Sequence, residues 1–393
     1  MKIAKVANFT LFLLILNYPL IYGIVYGIYI TGEQLTVIIA ERGGDVLSAG
    51  GIASCIRTPG VFRVEYRDTV SSTNGLLRDM AAKGAPEGLV IAAGGQTAGR
   101  GRLGRTFYSP AGHGAYFSLL LRPGVKPGDA TLITSAAAVA TARAIEDVTG
   151  ACVGIKWVND LFLDGRKVCG ILTEATFGME SGLVESAVLG IGVNITTPEN
   201  GYPDELEGVA ASLKDGSANA VEKIATSLKD GSANAAERIA TASANGIPNE
   251  AVGAATAPAS GTAGSDGGLR CRIIAATLDI FWRYYRNLTA REFLGEYRER
   301  SVVLGKSIFV LSGDSRRAAK ALAIDDDCRL IVRYENAAGN GSYGGENAAG
   351  NGSYGGESAN GNGSYGGENA NGGENAVGEI AALDSGEVSI RTE

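Results

Sequence analysis

Two stretches of this chain repeat themselves, and neither can form a hydrophobic core. Residues 212–226, Ser-Leu-Lys-Asp-Gly-Ser-Ala-Asn-Ala-Val-Glu-Lys-Ile-Ala-Thr, are followed at once by a near copy over 227–241, and 242–268 are then mostly Ala, Gly, Ser, Thr and Pro. From Glu335 a second unit, Glu-Asn-Ala-Ala-Gly-Asn-Gly-Ser-Tyr-Gly-Gly, recurs with an 11-residue period and decays near Asn375. A solenoid unit must bury apolar residues against its neighbours, whereas this second unit carries one tyrosine and no aliphatic residue larger than alanine. Both stretches read as expanded surface loops without catalytic duty. They also absorb much of the glycine, which at 57 of 393 residues is about twice ordinary usage but shows no collagen period. A fold has to be assembled from what remains.

Composition narrows the chemistry of that remainder. With 45% hydrophobic residues there is enough apolar material for one large or two ordinary domains. The net charge of −7 argues against a surface devoted to a polyanion, although a local basic loop is compatible with it. His113 is the only histidine, so multi-histidine metal sites are excluded and a Ser-His-Asp triad would depend on that one residue. No nucleophile stands near it in the sequence, and it reads as a bystander in a turn. The metal ligands, if any, are unknown at this stage. Five cysteines, widely spaced and without a C-x-x-C pair, read as reduced and mostly buried side chains in a reducing compartment.

The first 67 residues form an apolar segment of their own. No charged residue occurs between Lys5 and Glu33, a run longer than the roughly 20 residues that cross a bilayer. Lys2 and Lys5 resemble the positive start of a signal anchor, but no small-x-small cleavage site follows. Asn17, Pro19, Gly23 and Gly27 interrupt the run, which leaves a buried helix followed by a strand as the other reading. An anchor with Lys2 and Lys5 inside would send the rest of the chain out of the cytosol. Membrane association through residues 6–32 therefore stands as the alternative to a cytoplasmic location.

From Asp68 the pattern changes. Ser71-Ser72-Thr73-Asn74 supplies N-cap residues ahead of Leu76, Leu77, Met80 and Ala81 at helical spacing, and Gly84-Ala85-Pro86 ends that helix. Strands are expected at 89–93 and 115–121, an alanine-rich helix at 130–147, and further strands at 153–157, 161–164, 167–175 and 184–193, with Asp164-Gly165 as a hairpin turn. Many strands with few helices predict an α+β domain with a mixed or antiparallel sheet. Helical spacing returns over Ile273–Tyr285 and Phe293–Tyr297. Five short strands, 306–311, 317–324, 328–334, 378–383 and 386–391, then suggest a small β-barrel with the second repeat as an elongated hairpin loop. The organisation expected is 1–67, an α+β domain over 68–300 with an insert at about 212–269, and a C-terminal domain over 301–393 with an insert at 335–375.

Three segments carry chemistry. Gln96-Thr97-Ala98-Gly99-Arg100-Gly101-Arg102-Leu103-Gly104-Arg105 interleaves arginines with glycines, so that backbone can approach a ligand while guanidinium groups neutralise several anionic oxygens. It is neither a P-loop nor a dinucleotide-binding loop, and its position between two strands argues against a flexible nonspecific RNA contact. Lys156-Trp157-Val158-Asn159-Asp160 ends an apolar strand with a lysine suited to a carboxylate or α-phosphate; Asn and Asp beside it can orient water, metal or a ribose. Gly190-Ile191-Gly192-Val193-Asn194 has small residues that let a strand pass close to a ligand.

Together, in this order and spacing, these segments resemble the biotin protein ligase family over roughly 68–195, 270–334 and 376–393. The markers are Ser-Ser-Thr-Asn at 71–74, Gly-Arg-Gly-Arg-x-Gly-Arg at 99–105, Ser109-Pro110, Lys-Trp-x-Asn-Asp at 156–160 and Gly-Ile-Gly-Val-Asn at 190–194. Two positions depart from the family pattern: Phe107 stands for its tryptophan and Val158 for its proline. Phenylalanine keeps an aromatic face and loses the indole N–H, so looser packing of the intermediate is expected without loss of the reaction. Valine is expected to keep a β-compatible shape.

The resemblance implies a catalytic domain like class II aminoacyl-tRNA synthetases, followed by an SH3-like barrel. It implies ATP-dependent activation of biotin to biotinyl-5′-AMP and transfer to a lysine of a biotin carboxyl carrier domain, with ATP, biotin and Mg²⁺ as ligands. By the same resemblance Lys156, Arg100, Arg102 and Arg105 are the catalytic candidates. Ser72, Thr73, Asn74 and Gln96 would bind the ureido ring, and Gly99, Gly101, Phe107, Asn159, Gly170 and Asn194 would complete the ligand site. Some family members carry an N-terminal winged helix and act as biotin-sensing repressors, and Thr31-Gly32-Glu33-Gln34-Leu35 is similar to the start of such a domain's helix. No arginine-rich recognition helix follows, since Arg57, Arg63 and Arg67 are scattered, which disfavours DNA as a partner. A lipoate ligase shares the superfamily, and a homodimer is compatible with it.

Overall fold

The computed structural model describes residues 4–6, 9–11, 24–31, 34–41, 45–215, 268–312, 315–335, 380–384 and 387–390. Most of both repeats therefore lies outside the described residues. The chain divides into two units, Met1–Val302 with Asp326–Cys328, and Val303–Asp325 with Arg329–Glu393.

In the first unit, β1 (Ala4–Val6) pairs with β2 (Phe9–Leu11), and β3 (Ile24–Thr31) pairs with β4 (Gln34–Glu41), both antiparallel. The second half of the apolar run is thus a strand. Thr31 pairs with Gln34 across a hairpin, so the segment expected to resemble a helix start lies in a strand pair instead. Residues 12–23, central to the membrane reading, lie outside the described residues. Among the described residues no helix is long and apolar enough to cross a membrane.

A seven-stranded sheet forms the centre of this unit, in the order β5 (Arg63–Val70), β6 (Leu89–Gln96), β7 (Gly114–Leu121), β11 (Val184–Asn194), β10 (Arg166–Phe177), β9 (Asp160–Leu163) and β8 (Gly154–Lys156). Only β5 and β6 run parallel, so the sheet is mixed, as the strand-rich pattern predicts. Its first strand starts at Arg63, ahead of the boundary expected at 68. Asp164 and Gly165 form the β9–β10 turn with φ of 49° and 78°, which explains the glycine there. The strand expected over 153–157 is shorter: Trp157 to Asn159 turn the chain, and Val158 sits in that turn. The Trp157–Val158 peptide bond is cis.

One sheet face carries α2 (Thr73–Ala82), whose Leu77 and Ala81 pack with Leu89, Ile91, Leu120 and Val188. Ser72 caps this helix, its Oγ accepting from Gly75 N at 3.3 Å. The other face receives α3 (Ala130–Thr149), where Thr134 and Thr173 hydroxyls meet at 2.8 Å. Next to α3 lies α4 (Leu269–Tyr285), which also contacts β7; α1 (Ala49–Cys55) packs against α4, and α5 (Leu294–Glu299) follows. Fully burying each large aliphatic residue of these layers contributes about 1.5–3 kcal/mol. All five cysteines are free; Cys169, Cys271 and Cys328 are buried, whereas Cys152 is exposed.

The second unit is a five-stranded antiparallel sheet ordered β15 (Ile380–Leu383), β14 (Leu330–Tyr334), β13 (Ser315–Ile324), β12 (Ser307–Ser312) and β16 (Glu387–Ile390). Strands β14 and β15, between which the second repeat falls in the sequence, are direct antiparallel neighbours; the hairpin loop expected there lies outside the described residues.

Candidate active site

Topology brings the first two motifs together. Because β5 and β6 are parallel, the chain leaves both strands at the same sheet end, where Thr97 N donates to Val70 O at 3.0 Å and Ala98 N to Ser71 O at 2.8 Å. The N-terminus of α2 therefore stands beside the start of the arginine segment. That segment doubles back: Gln96 N donates to Ser109 O, Phe107 N to Gly99 O, and Gly101 N to Arg105 O. It is a hydrogen-bonded hairpin with Leu103 at its tip, left-handed at φ 54° and 74% exposed, followed by Gly104 at φ 73°.

A polar chain runs beneath this hairpin. Thr73 N donates to Gln96 Oε1 at 2.8 Å, and Gln96 Nε2 donates to Ser109 Oγ at 2.9 Å. Ser118 Oγ lies 2.6 Å from Asn74 Oδ1 and 2.8 Å from Thr73 Oγ1. A carboxamide oxygen only accepts, so the single Ser118 proton goes to Asn74, and the Thr73 hydroxyl donates to Ser118 Oγ or to Gln96 Oε1 at 3.1 Å. Asn74 Nδ2 donates to Glu174 Oε2 at 2.9 Å and to Leu172 O at 3.3 Å. Glu174 Oε1 in turn pairs with Arg100 Nη2 at 3.0 Å.

Strand register explains the glycines on this face. Ser118 and Leu172 both stand opposite Gly190, and Gly170 stands opposite Gly192. A Cβ at 190 would overlap Asn74 Oδ1, a Cβ at 192 would overlap the Phe107 ring, and a Cβ at 170 would stand 2.9 Å from Phe107 Cε2. The small residues thus make room first for Asn74 and Phe107, rather than directly for a ligand. Gly99 is equally confined, with a Cβ falling 2.7 Å from Ser109 Oγ.

The arginine hairpin also meets the Lys-Trp-Val-Asn-Asp turn. Arg102 Nη1 donates to Asn159 Oδ1 at 3.1 Å, and Asn159 Nδ2 donates to Ile171 O at 2.8 Å. Lys156, at the end of β8, holds its Nζ 5.3 Å from the Phe162 ring centre. Arg105 is exposed. Ser72 acts as the helix cap, Asn194 donates to Ala211 O at 3.1 Å, and His113 Nδ1 meets Thr196 Oγ1 at 3.0 Å, so these three have structural partners. Burial pushes the Tyr116 phenol well above its ordinary value; it remains a donor, bonded to Pro110 O at 3.1 Å.

Three residues of the site escaped the sequence reading. Ser118 is fully buried, and the only signal for it is a lone polar residue inside the apolar run Ala115–Leu121. Glu174 and Lys167 gave no comparable signal. Lys167 Nζ pairs with Asp160 Oδ1 at 2.7 Å and stands 5.8 Å from the Phe107 ring centre, within cation–π range.

Residues 66–194, which contain all of these groups, match the family model described as Biotin/lipoate A/B protein ligase family. The segment is similar to biotin protein ligases. Over 148 residues the chain is 42% identical to the bifunctional ligase/repressor BirA of Bacillus subtilis, covering 38% of this chain and 45% of that protein. It is 42% identical over 111 residues to the biotin--[acetyl-CoA-carboxylase] ligase of Paracoccus denitrificans, covering 28% of this chain and 43% of that one. The chain thus spans less than half the length of these curated relatives. The biotin protein ligase of Aquifex aeolicus, solved with biotin and ATP, has a similar fold, with a TM-score of 0.50 at 18% identity over 84% of this chain and 99% of that one.

Proposed function

We propose that this chain is a biotin protein ligase that activates biotin with ATP and transfers it to a lysine of a biotin carboxyl carrier domain, that of acetyl-CoA carboxylase included. The observation that carries this reading is the polar chain Asn74–Ser118–Thr73–Gln96, buried up to the half-buried Gln96, lying under an arginine hairpin on one sheet face. Both Asn74 amide protons go to strand β10, so toward a ligand this residue offers only its Oδ1 as acceptor, the partner a ureido N–H requires.

In the first half-reaction a biotin carboxylate oxygen attacks the α-phosphorus of ATP, and pyrophosphate leaves. Two anions must approach, so neutralisation and positioning dominate. Arg100, Arg102 and Arg105 supply positive charge from the hairpin, with Arg102 aimed by Asn159. Lys156 is assigned to the carboxylate or α-phosphate oxygens in both half-reactions. In the second, the acceptor lysine amine attacks the acyl carbon, AMP leaves, and an amide forms. Phe107 packs the intermediate, and closure of the hairpin over it limits hydrolysis. Among the described residues no group of three or more acidic, histidine or cysteine side chains could hold a metal ion. Mg²⁺ belongs to this reading as the cation that accompanies ATP.

In this reading residues 68–300 act as a class II synthetase-like catalytic domain, 301–393 as an SH3-like one, and the enzyme works in the cytoplasm, where ATP and carrier proteins meet. A repressor role is not favoured: Arg63 and Arg67 lie on strand β5 and both pair with Glu65. Biotin-dependent exchange of pyrophosphate into ATP tests the assignment. R102A and K156A should each abolish or severely reduce exchange, and near-normal exchange in both would overturn the site. Competition by lipoate would shift the reading to that substrate.

A further inference from the structure

Resting on the biotin-ligase reading, we propose that Glu174 is a positioning residue that fixes the polarity of the Asn74 carboxamide and ties Arg100 to the same point. Asn74 is 4% exposed, so its amide orientation is decided by protein partners rather than by water. On one side it faces a carboxylate and a carbonyl, Glu174 Oε2 and Leu172 O, which can only accept. On the other it faces the Ser118 hydroxyl. Turning the amide over would set its oxygen against two acceptors. The alternate orientation is thus excluded by charge and by proton count, and Oδ1 stays turned toward Ser118.

The second Glu174 oxygen holds Arg100 at 3.0 Å, with Arg78 at 3.6 Å. One carboxylate therefore links the hydrogen-bond acceptor for the ring to the first arginine of the hairpin. Glu174 lies on the same face of β10 as Gly170, two pleats along, and so comes from a different element than either group it positions. A glutamine at 174 has the same shape but brings its own N–H₂, so it can present a donor to Asn74 and offers Arg100 no counter-charge.

The test is biotin binding without ATP, measured by calorimetry on the full chain. Charged hydrogen bonds of this kind predict that E174Q weakens biotin binding by at least about tenfold, with the thermal midpoint kept within a few degrees. N74A should weaken it as well, and E174Q added to N74A should cost little more, because Glu174 acts through Asn74. Equal binding by wild type and E174Q, or additive losses in the double variant, would overturn the proposal while leaving the ligase reading intact. A wild-type chain that binds no biotin would overturn both. Should E174Q fail to fold, E174D, which keeps the charge but withdraws the carboxylate from Asn74, takes its place, and unchanged biotin binding there would overturn the proposal equally.

Discussion

Gly190 and Asn74 share one small volume: the α-carbon of Gly190 is bare at the point where the Asn74 carboxamide oxygen sits, and any Cβ at 190 would overlap that oxygen. The Asn74 amide is bonded on both sides to Ser118 and Glu174, so it cannot retreat without leaving buried polar groups unpaired. G190A is expected to destabilise the fold by about 1–3 kcal/mol, as overpacking does. The same substitution should abolish biotin binding at temperatures where the variant is still folded. Calorimetry of unfolding and of biotin binding on one preparation checks both parts.

Arg102 and Asn159 come from segments 57 residues apart and meet at 3.1 Å. If Asn159 aims the guanidinium at developing charge, the two act as one unit. R102A and N159A should each lower the rate of pyrophosphate exchange, and the double variant should lose less than their product. A coupling energy of about 0.5–3 kcal/mol is expected for residues in direct contact. Purely multiplicative losses would show that the contact does not serve the reaction.

Glu146, near the end of α3, is bonded by Arg300 and by the Cys152 thiol. Burial raises its carboxyl, but the Cys152 and Arg300 hydrogen bonds and the Arg300 charge together bring it below its ordinary value of 4.5. A depressed folded value means that the stabilisation is present above the unfolded value and is lost as pH falls through the folded one. Unfolding free energy should therefore drop more steeply below about pH 4.5 in wild type than in E146Q, followed by urea titration at pH 7, 5, 4 and 3. Parallel pH curves would contradict this.

Cys152 is solvent-exposed, yet its hydrogen bond to Glu146 and partial burial push its thiol upward. The thiolate is the reactive form, so Cys152 should alkylate slowly for an exposed cysteine. E146Q removes the neighbouring charge, and iodoacetamide labelling of the Cys152 peptide, timed by mass spectrometry at pH 7.5, should become several-fold faster.

Much of the fold was legible in the sequence because its signals are local. Ser72 as a cap, alanines at helical spacing through 130–147 and the Asp164-Gly165 turn each involve residues within a few positions, and the structure places α2, α3 and the β9–β10 hairpin there. The arginine segment and the Lys-Trp-Val-Asn-Asp turn were recognisable for the same reason. The strand-rich C-terminal part also appears as five strands, but in their pairing they form an open sheet among the described residues. Less was readable ahead of residue 68, where Ala49–Cys55 and Arg63–Val70 join the central unit through partners far along the chain, such as α4 and β6.

The sequence by itself determined which chemical groups this protein owns and which short elements carry them, since caps, turns and apolar periodicity act over a few residues. Only the tertiary structure decided which of those groups work together. Ser118 becomes part of the site because β7 pairs with β11 in a register that sets it opposite Gly190, and Glu174 because β10 lies on the other side of the same strand. A strand's alternation of two says which residues share a face, but not which distant strand will be its neighbour. That choice rests on burying α2 against one face and α3 against the other, and it turned Gly190 and Gly192 into the spaces that Asn74 and Phe107 fill.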